Sequence, residues 1–426
     1  MEEIISLMHC FAMKMYLKQK KNHKGIKSGG ALIIHLTERI QLKKTVELSH
    51  LCHLAKNLYN LANFHYRQFL FHLDQFINYY DLQIILKEHV AYKALPAQTS
   101  QQILRLVMKN WKSYWKEIKD YSKDKNKFLG RPKMPNYKRK NGQSIAIFTN
   151  QNSWIKNGYI QVPKSVNLPL IKTRIQKHQQ IRILPRGSYY IIEIIYHQKE
   201  QDLILDKNRI LSIDLGIHNL ITTANNINQS PLIVKGNVVK SINQWYNKVR
   251  GIRRSFVDPS HLKTMKMNIQ TKKRTNKIRD YFHKTSHMLI NHSKSNNIGT
   301  IIIGYNKKWK QESNMGARNN QTFVSIPHLQ LIQMIQYKAQ LVGIEVVLVD
   351  ECYTSKCSAL DNEPIGKHDK YMGKRIKRGL FKSSKGIKIN ADVNGAMNIL
   401  RNVVPTAFNG KGIAARVLSP RIVKIC

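Results

Sequence analysis

This sequence is short of acid. Its 426 residues carry 25 Asp and Glu against 71 Lys and Arg, a formal net charge of +46. Self-repulsion of that size is costly until phosphates neutralise it, so a large polyanionic partner is implied. Cysteine is scarce as well. Cys10, Cys52, Cys352, Cys357 and Cys426 are odd in number and form no CxxC, which argues against a disulfide scaffold and for a reducing cytoplasm. No apolar run is long enough to span a bilayer. Nor does charge gather in one helix or tail, as it does on membrane-surface proteins: Lys and Arg run from Lys14 to Lys424. A signal peptide's basic start and clean apolar core are missing, since Glu2 and Glu3 open the chain, so residues 1–30 are expected to be a poorly ordered extension.

What is present is a folding composition. Hydrophobic residues make up 42% and prolines number only 12, so most of the chain should pack, and the length predicts two or three domains. Ribosomal and chromatin proteins are usually shorter and less apolar. RNA or DNA held over a long path is the better expectation.

Along the chain, Ala31 to Leu42 reads as a strand, and Leu51, Leu54, Ala55, Leu58, Leu61 and Ala62 recur at helical spacing. A second helix is expected over Thr99 to Asp120, with Ile103, Val107, Trp111 and Trp115 on one face as core rather than as a base-stacking platform. Tyr121 to Lys140 mixes proline, Gly130, aromatics and cations and cannot be a regular helix. It is either a solvated basic loop or a strand that tracks nucleic acid through Arg131, Lys133, Tyr137, Lys138 and Arg139. Ile145 to His197 is β-rich, with an Asn157-Gly158 hairpin turn. A strand, a helical block and more strands predict a β-barrel with an inserted helical bundle. From Asn208 the order is three short strands, a long basic helical stretch broken near Asp258-Pro259, the strand GTIIIG, a helix from Ser325, the strand GIEVVLV and a last helix from Asn390, which is an RNase H-like α/β pattern.

Three acids sit where such a fold does phosphodiester chemistry. That chemistry needs clustered carboxylates holding two divalent ions, roughly 4 Å apart. Asp214 interrupts the apolar strand ILSIDLG, an expensive place for a charge unless it is paired or metal-bound, and Gly216 after it lets backbone approach closely. Glu351 ends VVLVDE, where a solvated strand-end acid is the plain alternative. Asp392 opens the last helix, where an ordinary N-terminal acid complements the dipole.

SIDLGIHNL around Asp214 resembles the first RuvC motif of the TnpB family. GRPKMPNYKRK, TIIIGYNKKWKQE and the long runs through VDECYTSKC and NADVNGAMNIL are similar to the same family, over residues 31–402. The resemblance implies an RNA-guided, Mg²⁺- or Mn²⁺-dependent DNA endonuclease encoded with a transposon and related to type V CRISPR effectors. Its implied partners are a guide RNA from the transposon end and target double-stranded DNA beside a short adjacent motif. It implies Asp214, Glu351 and Asp392 as catalytic, metal-holding carboxylates. The implied domains are a wedge barrel over 31–44 and 127–207, a helical recognition insertion over 45–126, a RuvC-like nuclease over 208–402 and a tail over 403–426. Lys307, Lys308, Lys310, Lys374, Arg375, Lys377 and Arg378 are further candidates for nucleic-acid contact. No membrane partner is expected, and monomer and dimer both stay open.

Two departures from the family matter. Many members carry the catalytic Glu just after the fourth strand, where this chain has Gly304-Tyr305-Asn306, so Glu351 must reach inward from the next strand, with Glu312 and Asp350 as fallbacks. Many carry two CxxC pairs, where this chain has only Cys352, Cys357 and His368, with Ser383 and Ser384 nearby, so no structural zinc is expected. An inactive guided DNA-binding protein, a non-specific nucleic-acid protein and an RNA-independent transposase are the competing expectations.

Overall fold

The computed structural model describes residues 33–201, 203–258, 264–306, 316–408 and 415–425. The chain divides into two compact units, Ile33–Gln198 and the part from Lys199 on.

In the first unit, strand β1 (Ile33–Lys43) leads into the long helix α1 (Val46–His72). Thr45 stops the strand and starts the helix, because its hydroxyl accepts from the Leu48 N–H. Leu48, Leu51, Cys52, Ala55, Leu58, Tyr59 and Ala62 form the buried stripe of α1. Short helices α2 (Tyr79–Leu86) and α3 (Val90–Lys93) follow, the first opened by an Asn78/Asp81 capping box. Helix α4 (Ala97–Lys123) buries Ile103, Leu104, Val107 and Trp111. The Trp111 indole N–H donates to Asn63 Oδ1 at 2.9 Å, so this tryptophan is core, as its spacing predicted.

Strands β2 (Ala146–Thr149), β5 (Gln180–Pro185) and β6 (Tyr189–Lys199) join β1 in a four-stranded sheet ordered β1–β6–β5–β2. Ile181 and Ile183 lie opposite Ile194 and Ile192, all four buried, so period-two alternation sets the register. Strands β3 (Trp154–Lys156) and β4 (Tyr159–Gln161) pair separately as a hairpin, turned by Asn157 and Gly158 at positive φ. The expected barrel is thus represented by a four-stranded sheet and a detached hairpin, with α1 to α4 inserted between β1 and β2.

The second unit opens with β7 (Asp206–Asp214), β8 (Asn219–Asn225) and β9 (Leu232–Lys235), an antiparallel meander. Helices α5 (Asn237–Ser255) and α6 (Met265–Ser295) follow, then β10 (Ile298–Gly304), parallel to β7. Helices α7 (Ala317–Ser325) and α8 (His328–Gln340) lead to β11 (Glu345–Val349), parallel to β10. An insertion carries β12 (Lys374–Lys377), β13 (Leu380–Lys382) and β14 (Lys388–Asn390) as a small antiparallel sheet. Helix α9 (Ala391–Val403) follows, then the short α10 (Ala415–Leu418) and β15 (Arg421–Val423). The main sheet runs β11–β10–β7–β8–β9–β15. The sixth strand corrects the expectation that 403–426 is only a tail: Arg421–Val423 pairs in parallel with Leu232–Val234.

This sheet is covered on both faces, and alternation assigns the faces. Leu211, Ile213, Ile301 and Ile303 enter a core with Leu289 of α6 and Leu331 of α8. Ile210 and Ile302 enter another with Ile399 and Leu400 of α9. Ser212 shares the second face, and its hydroxyl donates to the Ala396 carbonyl of α9 at 2.6 Å. By the same period of two, Asp214 belongs to the α9 face.

Candidate active site

Asp214 is the last residue of β7 and lies against α9. Gly395 makes that approach possible, since a Cβ there would sit 2.8 Å from Asp214 Oδ2. Asp392 is three residues before Gly395 on the same helix, so one face of α9 offers both a carboxylate and the gap that admits the other. Asn390 caps this helix by accepting from the N–H groups of Asp392 and Val393, which anchors Asp392 in the first turn.

Glu351 comes from two residues beyond the end of β11, with β10 between it and β7. Two features carry it inward. The Asn306 side-chain carbonyl accepts the Glu351 N–H at 2.9 Å. Beyond that, β10 ends in Gly304, whose missing side chain leaves a passage, for a Cβ there would lie 2.7 Å from Glu351 Oε2. The end of β10 is therefore the place where Glu351 passes. The fallback Asp350 instead accepts from the Cys352 N–H, and Glu312 lies outside the described residues.

The charges of Glu351 and Asp392 both bear on Asp214. Its pKa is raised well above the carboxylate range, by burial first and then by the charges of Glu351 and Asp392, while Arg375 opposes the rise. Burial, with the Asp350 charge behind it, pushes Glu351 up to about 7. Asp392 is engaged on both oxygens: Arg375 Nη2 donates to Oδ1 at 3.1 Å, and Asn219 Nδ2 donates to Oδ2 at 2.7 Å. Lys235 Nζ in turn donates to Asn219 Oδ1. Held this way the acids stand apart, and among the described residues no group of three His, Cys, Asp or Glu closes into a metal cage. The donor chemistry nevertheless suits a hard divalent cation, because Asp214 is a buried carboxylate whose raised pKa, to which the charges of Glu351 and Asp392 contribute, a cation would relieve.

The other sequence candidates fall in three places. Lys307, Lys308 and Lys310 lie outside the described residues. Lys374, Arg375 and Lys377 are on β12 and Arg378 is in the turn to β13, all exposed. Arg131, Lys133, Tyr137, Lys138 and Arg139, in the first unit, belong to an extended strap along α1. Lys56 Nζ donates to the Lys140 carbonyl, Asn60 pairs with both main-chain groups of Lys138, and Asn63 and Arg67 donate to the Pro135 carbonyl. These four α1 residues share one helical face. The strap's main chain is thereby pinned while its five candidate side chains stay exposed. Sequence reasoning missed Asn219, Gly304, Asn306 and Gly395, for asparagine and glycine carry no charge or periodicity that marks a site.

The insertion between Glu351 and Asp392 is held without a sulfur cluster. Asp361 accepts from the Ser358 hydroxyl at 2.6 Å and from the Ser384 N–H and hydroxyl at 2.8 and 2.6 Å. Buried Glu363 accepts from the N–H groups of Ser358 and Met372. The buried Cys357 thiol points to the Gly366 carbonyl, Cys352 is exposed, and His368 pairs with the Pro364 carbonyl. That set does not fit tetrahedral zinc.

Comparison with known proteins bears on these features. Residues 194–310 match the OrfB_IS605 family, described as a probable transposase, and residues 328–399 match the Cas12f1-like TNB domain. The TnpB-like protein ORF457 of Acidianus two-tailed virus is 28% identical over 211 residues, 47% of this chain and 43% of that protein. The CRISPR-associated endodeoxyribonuclease Cas12f1 of Sulfoacidibacillus thermotolerans is 25% identical over 228 residues, 50% of each. The matched part thus spans about half the length of these curated relatives. In fold, the chain is similar to a Cas12f1 bound to its guide RNA and target DNA, with a TM-score of 0.52 at 17% identity over 83% of this chain and 81% of that one. Two segments in succession are thus similar to the TnpB and Cas12f1 proteins.

Proposed function

We propose that this chain is an RNA-guided DNA endonuclease of the TnpB type, cutting target DNA beside a short adjacent motif. The observation that carries the reading is that the charges of Glu351 and Asp392 both bear on the buried carboxylate of Asp214, in a chain of charge +46. Its TnpB-like and Cas12f1 relatives support it, as does the sheet order, which suits an RNase H-like, RuvC-type nuclease over 208–402. In the same reading 31–44 with 127–207 is the wedge, and 45–126 is the recognition insertion.

Asp214, Glu351 and Asp392 are the residues that would hold Mg²⁺ or Mn²⁺, which when bound activates water and stabilises the leaving oxygen. The chain's own groups set up that chemistry. Asn306 fixes the main chain of Glu351, Asn219 and Arg375 orient Asp392, and Gly395 keeps the face of α9 open to Asp214. The cations of β12 offset phosphate charge as a strand nears the acids. The strap residues Arg131, Lys133, Tyr137, Lys138 and Arg139 serve the guide RNA or target backbone.

The test is to sequence the RNA that co-purifies with the chain and offer duplex DNA matching it, with and without Mg²⁺. Cleavage of matched DNA only, abolished by Asp214→Ala with RNA retention unchanged, is the expected result. Absence of a defined RNA, or normal cutting by Asp214→Ala, would overturn the reading.

A further inference from the structure

A bulge in β8 puts two polar side chains on the face that α9 covers. Pairing of β8 with β9 slips between Asn219 and Ile221, and Leu220 and Ile221 both enter the core on the opposite face. Ala224 and Ile233 mark the α9 face, since they pack with Val393 and Ala396 of that helix. Asn219 reaches the same face, where it donates to Asp392. Thr222 lies between Asn219 and Ala224 on β8. It is the cross-strand partner of Asp214 on β7 and of Ile233 on β9. Residues paired in this way share a face, with Cβ atoms roughly 5 Å apart, so the Thr222 hydroxyl is within reach of the Asp214 carboxylate.

Thr222 is 1% exposed, and its hydroxyl has no hydrogen-bond partner among the described residues. Its neighbours on the sheet are satisfied. The Thr223 hydroxyl accepts from the Leu232 N–H, and the Ser212 hydroxyl donates to the Ala396 carbonyl. A buried hydroxyl left unpaired is costly, and valine suits a strand equally well without that cost. The hydroxyl is therefore surplus to the fold as it stands, and its use belongs to another state of the centre. A carboxylate that ligates a metal ion is in turn held by a hydrogen-bond donor. Asp392 has such donors in Asn219 and Arg375. For Asp214, Thr222 is the hydroxyl in that place.

We propose that Thr222 is the positioning residue for Asp214, its hydroxyl donating to the carboxylate when a divalent cation occupies the centre. The inference rests on the proposed role of Asp214 in holding that cation, and RNA has no part in it.

The experiment measures Mn²⁺ binding to the full chain, from the paramagnetic resonance of the free ion, and counts the part that Asp214→Ala removes. Thr222→Val should weaken that part about tenfold, the usual scale for losing the partner of a metal ligand. Thr222→Ser keeps the hydroxyl and should restore it. Without added metal, Thr222→Val should melt at or above the parental temperature, because no bond is lost. Parental Mn²⁺ affinity in Thr222→Val would overturn the proposal. So would a metal-free Thr222→Val that melts on the order of 3 °C or more below the parent, for the hydroxyl would then serve the fold itself. A parent with no Asp214-dependent Mn²⁺ binding overturns this proposal and the cation site together. Matched DNA left uncut, with the tenfold loss still seen, overturns guided cleavage alone.

Discussion

Asn306 accepts the main-chain N–H of Glu351 at 2.9 Å, so the residue just beyond β10 fixes the backbone of the acid just beyond β11. Gly304, two residues earlier, gives the carboxylate its route, and a Cβ there would come within 2.7 Å of Glu351 Oε2 and 2.6 Å of Ile399 Cδ1. Gly304→Ala should therefore displace Glu351 while Ile399 shifts its flexible end. A misplacement near 1 Å costs on the order of a hundredfold in rate. Cleavage rates on matched DNA, with RNA retention as the control, check this; a variant cutting at the parental rate would remove Glu351 from the centre.

The raised pKa of Glu351 has a definite sign in folding. The carboxyl moves from 4.5 in the free state to about 7 in the fold, so between those values the folded chain holds a proton that the unfolded chain has lost. Its favourable contribution is fully present below 4.5 and is lost as pH climbs through 7. Glu351→Gln keeps the shape and removes the charge. At about pH 8 the variant should be more stable than the parent by up to roughly 3 kcal/mol, with the gap closing near pH 4. Urea denaturation at both pH values measures it, and a gap of equal size at both would contradict the assignment.

Asp361 pins the insertion by three hydrogen bonds, two from Ser384 and one from Ser358. Asp361→Ala removes those bonds and should destabilise this segment by about 1 kcal/mol, because exposed Ser384 can turn to water. A strong zinc chelator should leave the parent's melting curve unchanged. Hydrogen exchange of residues 358–384 reads the local effect, and chelator-induced melting would show that a metal holds the insertion after all.

Thiol reactivity follows burial. Desolvation pushes the Cys52 thiol up to about 12, and its nearest acceptor is the Ile183 carbonyl. Cys352 is exposed. Maleimide at about pH 8 should label Cys352 within minutes and Cys52 only after denaturant is added. Peptide mapping distinguishes the sites, and rapid labelling of native Cys52 would mean that the core around α1 is open.

The strap along α1 separates two roles by mutation. Arg131→Gln, Lys133→Gln and Arg139→Gln remove exposed cations and should weaken RNA or DNA binding about uniformly across sequences, with a shallower salt dependence. Asn60→Ala instead releases the Lys138 main chain, which accepts from and donates to that side chain. It should weaken binding without changing the salt slope. Binding isotherms over a salt series distinguish these outcomes.

Much of this was legible in one dimension. The helical spacing of Ile103, Val107, Trp111 and Trp115, the alternation in β5 and β6 and the Asn157-Gly158 turn each depend on neighbours a few residues away. So does the charged interruption at Asp214, because a lone acid in an apolar strand is costly wherever the strand ends up. By contrast, β15 is a three-residue strand whose pairing with β9 bridges nearly two hundred residues of chain, and nothing local announces it.

The sequence by itself determined the large excess of positive charge, the β-rich then α/β order of the elements, and which acids stand out, because charge and periodicity are properties of the chain before it folds. Only the tertiary structure decided that Glu351 lies over Gly304 and that Asp214 lies against Gly395. That outcome depends on a missing side chain at Gly304, an amide at Asn306 and a gap at Gly395, and a gap has meaning only once two distant backbones have been brought within a few ångströms of each other.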